Sequence, residues 1–141
     1  MPNDYDHQIA RYRHRFLEKH YGSFELQKPD GYYLVMIARS GSLKMSRMIQ
    51  DAPFHKSHAT RTINRLVALG LVEKTPDPED LRGFVLNITA SGNKIAEAVE
   101  KAHQEWQKLV QTPLSKAELE TLETIKRKVY EYLQQYFAEE D

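Results

Sequence analysis

The chain has 141 residues, the length of one domain, and its 40% hydrophobic and 28% charged residues are ordinary values that exclude a disordered or fibrous protein. It contains no cysteine, which excludes disulfides, thiolate zinc sites, cysteine nucleophiles and thiol redox switches. Its net charge is zero, but the charges are unevenly distributed. Residues 39–65 contain six basic residues and one acidic residue, whereas residues 93–141 contain seven basic and ten acidic residues. The basic region can therefore face phosphate groups.

The sequence has no stretch of about 18 to 20 apolar residues, the length that a membrane-spanning helix needs. The first residues also lack the charged and apolar regions of a secretory signal peptide. We therefore expect a cytoplasmic protein.

The first part of the chain is predicted to be helical. Apolar and aromatic residues recur at helical spacing over residues 5–20, with arginines between them, which predicts an amphipathic helix. Residues 32–38 are almost continuously apolar, which predicts a short helix buried on most sides. After a break at Gly41-Ser42, apolar residues between 45 and 49 predict another short helix, which Pro53 ends.

The helix predicted over residues 55–70 has two chemically distinct faces. Its apolar face consists of Ala59, Ile63, Leu66, Val67 and Gly70. Its polar face consists of Ser57, Arg61, Asn64 and Arg65. Gly70 is well placed to end this helix, whereas His55 is a poor N-cap, so the helix is expected to begin a residue or more away from it.

A β-hairpin and two long helices follow. Residues 71–75 and 84–88 read as strands, and the turn-forming residues 76–83 between them predict a long charged tip. Thr89 can cap a helix that runs to about Gln111. Residues 115–118 form a capping box for the last helix, whose apolar side is predicted to consist of Leu119, Leu122, Val129, Leu133 and Tyr136.

The order of helix, turn, helix and hairpin predicts a nucleic-acid interface. The second helix of a helix-turn-helix enters the major groove, where an arginine can contact guanine edges through two hydrogen bonds. An arginine on the hairpin, such as Arg82, can insert into a narrow minor groove, with Asp80 orienting its guanidinium. Residues that flank the polar face suit phosphate contacts. The predicted DNA-binding residues are Lys56, Ser57, His58, Thr60, Arg61, Asn64, Arg65, Asp80 and Arg82.

Residues 29–92 resemble the MarR family, the multiple-antibiotic-resistance type of winged-helix regulator. The resemblance lies in five stretches in the family's order: the entry to the first helix of the motif, the start of the recognition helix, its exit into the first wing strand, the wing tip with an Asp-x-Arg element, and the step into the long helix. These stretches are residues 41–43, 56–61, 65–74, 76–82 and 88–92.

The resemblance implies a mainly α fold with a small β-wing, in which a winged helix-turn-helix core (29–92) is flanked by dimerisation helices (1–28 and 93–141). It also implies a homodimeric transcriptional regulator, expected to be a repressor, that binds a pseudo-palindromic operator. Independently of the resemblance, the flanking helices carry more apolar surface than the winged domain can cover, which favours contact with a second chain.

The resemblance also implies a repressor that small lipophilic or aromatic anions release from DNA. A pocket for such an effector is predicted from aromatic and apolar residues, although residues of this kind at helical spacing also form ordinary core. The predicted pocket residues are Tyr12, Phe16, Tyr32, Met36 and Trp106.

Other functions are disfavoured by the motifs. No metal site is expected, because His103 has no second histidine at 99 or 107. No cofactor and no enzymatic activity are expected, because phosphate loops and nucleophile motifs are missing from the sequence. The alternative from a different class is a winged-helix module that contacts another protein without specific DNA binding.

Overall fold

The protein is described by a computed structural model of residues 4–21, 24–27, 29–52 and 55–139. Its contacts form two compact units, Met1–Trp106 and Gln107–Asp141. The fold is mainly helical with a small antiparallel sheet, which confirms the predicted fold class. The elements are α1 (Tyr5–Tyr21), α2 (Asp30–Ser40), β1 (Ser42–Lys44), α3 (Met45–Asp51), α4 (Lys56–Ala68), β2 (Val72–Asp77), β3 (Asp80–Ile88), α5 (Ala90–Gln111) and α6 (Lys116–Ala138).

The sheet has three strands in the order β1-β3-β2, one more than the predicted hairpin. The sequence predicted only a break around Gly41-Ser42, whereas residues 42–44 form a short strand that pairs with β3 and places Leu43 opposite Leu86. Three residues carry too little pattern to indicate a strand. They become one because β3 supplies hydrogen-bond partners from more than 40 positions away along the chain.

The predicted long tip of the hairpin is wrong. Strand β2 extends to Asp77 and β3 begins at Asp80, so that only Pro78 and Glu79 connect them. The register shifts just before the turn, and residues 81–83 bulge out of β3 without a partner in β2. Turn-forming residues are compatible with β2 because it is an edge strand.

Helix α4 begins at Lys56, directly after His55. The His55 side chain caps the helix, since its Nδ1 accepts a hydrogen bond of 3.2 Å from the Ser57 N–H. The helix thus begins one residue after the predicted start at 55, and the prediction that His55 is a poor N-cap is wrong, because an imidazole nitrogen here replaces the usual side-chain oxygen. Gly70, with a φ of +74°, follows the end of the helix in the left-handed region that glycine tolerates.

The core of the first unit lies between α2, α4, the sheet and α5. Its apolar members that are fully buried include Tyr33, Leu34, Ile37, Met48, Ile63, Leu66 and Leu86. The short helix predicted over 32–38 is thus buried on most sides, as expected. Pro53, predicted to end the third helix, lies outside the described residues. The core fixes α4 by one face and leaves the opposite face in solvent.

The second unit consists of the end of α5 and all of α6. The predicted capping box is present: Ser115 Oγ accepts from the Glu118 N–H at 3.1 Å, and Glu118 Oε1 accepts from the Ser115 N–H at 2.9 Å. The hydrogen bond from the Ser115 backbone lowers the pKa of the Glu118 carboxyl below its ordinary value. No described residue of α6 is buried. Across the ranges described, no helix is both long and apolar enough to cross a membrane.

Candidate nucleic-acid interface

The outer face of α4 is a stripe of polar side chains. Ser57, Arg61 and Asn64 are exposed, and their spacing of four and three residues places them on one side of the helix. The opposite side contains the buried residues Ala59, Thr62, Ile63 and Leu66. Three of the four residues predicted for the polar face therefore lie together in solvent, two turns along a helix whose other side is fixed in the core.

Two further predicted residues flank this stripe. Lys56 is exposed at the first position of α4, where its ammonium is accessible. Thr60 is half-buried, and its hydroxyl donates a hydrogen bond of 3.3 Å to the Lys56 carbonyl. Lys56 thus remains a candidate for contacting phosphate, while the Thr60 hydroxyl already has a partner within the helix.

Arg65 is placed differently from the prediction. Its guanidinium forms two hydrogen bonds with the Asp30 carboxylate, one of them from Nε to Oδ2 at 3.2 Å and the other from Nη2 to Oδ1. Asp30 is completely buried, whereas the Arg65 side chain is 32% exposed. The assignment of Arg65 to the outward polar face was wrong, because a buried carboxylate at the start of α2 draws it inward. Arg65 connects α4 to α2 through a bidentate ion pair with Asp30.

His58 also departs from its predicted position. It was placed beside the polar stripe as a phosphate contact, but it is half-buried and lines a cleft between α4, α1 and α5. A step of one residue along the helix rotates His58 by about 100° from Ser57, toward the core side. Its imidazole therefore lies at the cleft rather than on the outer face of α4.

The wing tip carries Arg82, which is exposed. Asp80 was predicted to orient the Arg82 guanidinium, but its Oδ1 accepts a hydrogen bond of 3.0 Å from the Arg82 backbone N–H. Asp80 therefore fixes the backbone of the tip. The reason is proximity, because a short carboxylate reaches the amide two residues ahead more readily than the end of a long side chain.

A lysine that the sequence analysis did not single out holds the turn of the wing. Lys44 Nζ lies 2.5 Å from Glu79 Oε2 and 3.6 Å from Asp77 Oδ2, and Asp77 is buried. The hydrogen bond to Glu79, together with the charges of Asp77 and Glu79, raises the pKa of the Lys44 ammonium above its ordinary value. Because Lys44 lies in β1, this cluster connects the turn to the strand that leads into α3.

The cleft beside α4 has a volume of about 910 Å³ and combines polar and apolar walls. Tyr21 Oη lies 2.6 Å from His103 Nε2, within hydrogen-bond distance. Burial raises the pKa of Tyr21 to about 12, and burial with the positive charges of Arg13 and Arg39 lowers the pKa of His103. The lining residues are Ala10, Arg13, His14, Leu17, Glu18, Tyr21, Leu26, Gln27, Pro29, Tyr32, His58 and His103.

Only Tyr32 of the five predicted pocket residues lines this cleft. Phe16 packs on Trp106, with ring centroids 5.6 Å apart. Met36 packs half-buried against the core, and Tyr12 is 63% exposed. These four residues therefore do not line this cleft, since hydrophobic type and spacing do not distinguish core packing from the lining of a cavity. The residues that line it come from four helices and the segment before α2, and no local pattern in the sequence indicates that they meet.

The motif of α3 and α4 followed by the β2–β3 wing defines the winged helix-turn-helix class. The sequence profile described as "MarR family" matches residues 27–84, which span that motif and most of the wing. The winged helix-turn-helix of this chain, residues 27–84, is of the MarR family, and the findings support a transcriptional regulator of that type.

Relatives and solved structures agree with this assignment. The transcriptional regulator BilQ of Clostridioides difficile is 26% identical over 76% of this chain and 72% of its own length. Other curated relatives align over about half of their length. A MarR protein from Peptoclostridium difficile has the same fold, with a TM-score of 0.84, 17% identity and coverage of 95% of this chain and 88% of its own.

A third match is a MarR variant from Escherichia coli, solved in complex with operator DNA. It has a TM-score of 0.76 and 24% identity, and the alignment covers 87% of this chain and 89% of that protein. At this identity the match shows a common fold.

Proposed function

We propose that the protein is a homodimeric, sequence-specific DNA-binding regulator that acts in the cytoplasm as a repressor on a pseudo-palindromic operator. The observation that carries the proposal is the exposed stripe of Ser57, Arg61 and Asn64 on a helix whose opposite face is locked in the core. Such a helix fits the major groove, where Arg61 would contact a guanine and Asn64 an adenine. Arg82 on the wing would reach the adjacent minor groove.

The wider surface supports the same proposal. Lys56 is exposed at the start of α4 and suits a phosphate contact. A MarR protein of the same fold from Escherichia coli has been solved with operator DNA. Repression is the proposed direction, since a dimer bound near a promoter occupies DNA that transcription requires. Arg65 and His58 are assigned no base contact, because the first pairs with Asp30 and the second lines the cleft.

Dimerisation is proposed from the apolar surface of the flanking helices, and residues 29–92 are proposed as the DNA-binding core. Helix α6 has large hydrophobic side chains at spacings of three and four residues, and eight of them are at least 37% exposed. An amphipathic helix of this kind is stable in water when a partner covers its apolar side. A second copy of the chain is the partner proposed. The exposed residues are Leu122, Ile125, Val129, Tyr130, Tyr132, Leu133, Tyr136 and Phe137.

The test is to measure binding of the purified protein to the DNA upstream of its own gene and to random DNA of equal length, at two salt concentrations. We expect at least about 1,000-fold preference for the upstream DNA, two chains per duplex and a steep fall of affinity with salt, because phosphate contacts release counterions. Footprinting should show two half-sites roughly 34 Å apart.

Protein refolded from denaturant is measured in parallel, so that a bound small molecule carried through purification does not mask the result. Equal binding to both DNAs by the refolded protein would contradict the proposal and support the winged module that contacts another protein. A single asymmetric half-site, or one chain per duplex, would contradict the dimer.

We also propose that the cleft binds the effector, a small lipophilic or aromatic anion that releases the DNA. Arg13 offers a cation for the anion, and Leu17 and Tyr32 offer apolar and aromatic surface in the same cleft. A bound anion would also touch α4 directly, because His58 is part of the wall. Occupation of the cleft would therefore change the position of the helix that enters the major groove.

For this cleft, 2-naphthoate is expected to raise the melting temperature and weaken operator binding, while the neutral 2-naphthamide is expected to do neither. At about 100 times its Kd, a ligand of the folded state stabilises by about 2.7 kcal/mol. Arg13→Gln should weaken naphthoate binding about tenfold, since a charge-assisted hydrogen bond is lost. Equal responses to the acid and the amide would contradict an anion site, and no response to either would contradict an aromatic effector.

A further inference from the structure

The tip of the wing presents an apolar side chain directly beside its cation. Leu81 is 100% exposed, whereas no other large hydrophobic residue among those described exceeds 66%. Arg82, the next residue, is also exposed. A leucine in this position gains free energy only when another molecule covers it.

The backbone that carries Leu81 is fixed. Residues 81–83 bulge from β3 between two paired positions of the hairpin. The Asp80 carboxylate closes over this bulge: Oδ1 accepts from the Arg82 N–H at 3.0 Å, and a Cβ added at Gly83 would lie 3.3 Å from Oδ2. The bulge is therefore held at both ends, and Leu81 projects from a preorganised support rather than from a loose loop.

We infer that Leu81 is a further specificity-determining residue, which wedges against a base step in the minor groove beside Arg82. The inference rests on the proposed DNA-binding function. Neighbouring Cα atoms are about 3.8 Å apart, so a groove that Arg82 enters is also within reach of Leu81.

The chemistry of the tip favours DNA over a protein as the molecule that covers Leu81. The residues next to it along the chain are charged or glycine, so Leu81 is a single apolar side chain rather than part of the continuous apolar stretch that a protein partner would cover. In the minor groove, single apolar side chains wedge against base steps, and this distortion costs least at flexible pyrimidine–purine steps. Leu81 thus confers a preference for a TA step over an AA step beneath the wing.

The experiment compares Leu81→Ala with the wild-type protein on two operators, selected by the wild type from random DNA and differing only in a TA or AA step beneath the wing. We expect the wild type to prefer the TA operator, and Leu81→Ala to bind that operator about tenfold more weakly and to lose the preference. The salt dependence should be unchanged, because no phosphate contact is removed.

Two variants serve as controls. Leu69→Ala removes the same side chain from a residue that is 40% exposed after α4, and it should bind like the wild type. Leu81→Met keeps an apolar side chain of similar volume and should retain the TA preference. Because Leu81 is fully exposed, its variants should keep the wild-type circular dichroism and melting temperature.

Three results would overturn the inference. Wild-type affinity of Leu81→Ala on both operators would show that the side chain does not contact DNA. An equal loss on both operators and on random DNA would show a contact without specificity. A wild-type protein that prefers no DNA sequence would overturn the proposed function and this inference together, and is recognised before any variant is measured.

Discussion

Asp30→Ala is expected to destabilise the protein by about 3 kcal/mol, at the low end of the range for breaking a buried ion pair. Asp30 is completely buried and accepts hydrogen bonds from Arg65 and from the Gln27 N–H at 2.7 Å. Its removal leaves the Arg65 guanidinium without its partner. Because that side chain is 32% exposed, it regains some hydration, which limits the loss.

Urea unfolding at fixed protein concentration measures this change, with the m-value checked for constancy. Asp51→Ala is the matched control, since it removes an exposed carboxylate that pairs with Arg47 at 2.8 Å within α3, and about 0.5 kcal/mol or less is expected. A loss below about 1 kcal/mol for Asp30→Ala would show that the pair with Arg65 contributes little to holding α4 against α2.

Arg61→Ala is expected to reduce discrimination between operator and random DNA by about 1 to 3 kcal/mol, because a bidentate contact with a base edge is lost. Arg82→Ala should instead weaken binding to all sequences and reduce the salt dependence, since its contact is mainly electrostatic. The measurement is affinity for both DNAs over a range of salt concentrations.

Arg39→Ala provides the control for these arginines. Arg39 is exposed at the end of α2 and pairs with Glu100 at 2.9 Å, away from the stripe on α4. Its replacement should leave affinity and discrimination unchanged. If Arg61→Ala kept full discrimination, α4 would not be reading bases through Arg61, and if both Arg61→Ala and Arg82→Ala bound normally, the module that contacts another protein would be favoured.

Local sequence patterns predicted most of the element order and the two faces of α4 well. The apolar residues of α4 recur at the helical period, so they identify a buried face and, by exclusion, the exposed positions of Ser57, Arg61 and Asn64. The capping box at Ser115 is likewise a short-range interaction between residues three apart. Such features depend only on residues that are close along the chain, so they can be predicted from the sequence without a structure.

Several of the features that were predicted wrongly depend on distant partners. Arg65 turns inward because Asp30, 35 residues earlier, offers a buried carboxylate. The strand β1 exists because β3 pairs with it. The cleft gathers residues from α1, α2, α4 and α5, and no local period records which of their side chains meet.

The sequence by itself determined the winged helix-turn-helix order, the exposed stripe of α4 and the apolar side of α6, because each is a periodic property of one helix. Tertiary structure decided which charges are available to a partner and which are used internally. Asp30 holds Arg65, and His58 lines the cleft. A charged side chain binds whichever partner folding brings within about 3 to 4 Å, and that distance is set by packing rather than by neighbours along the chain.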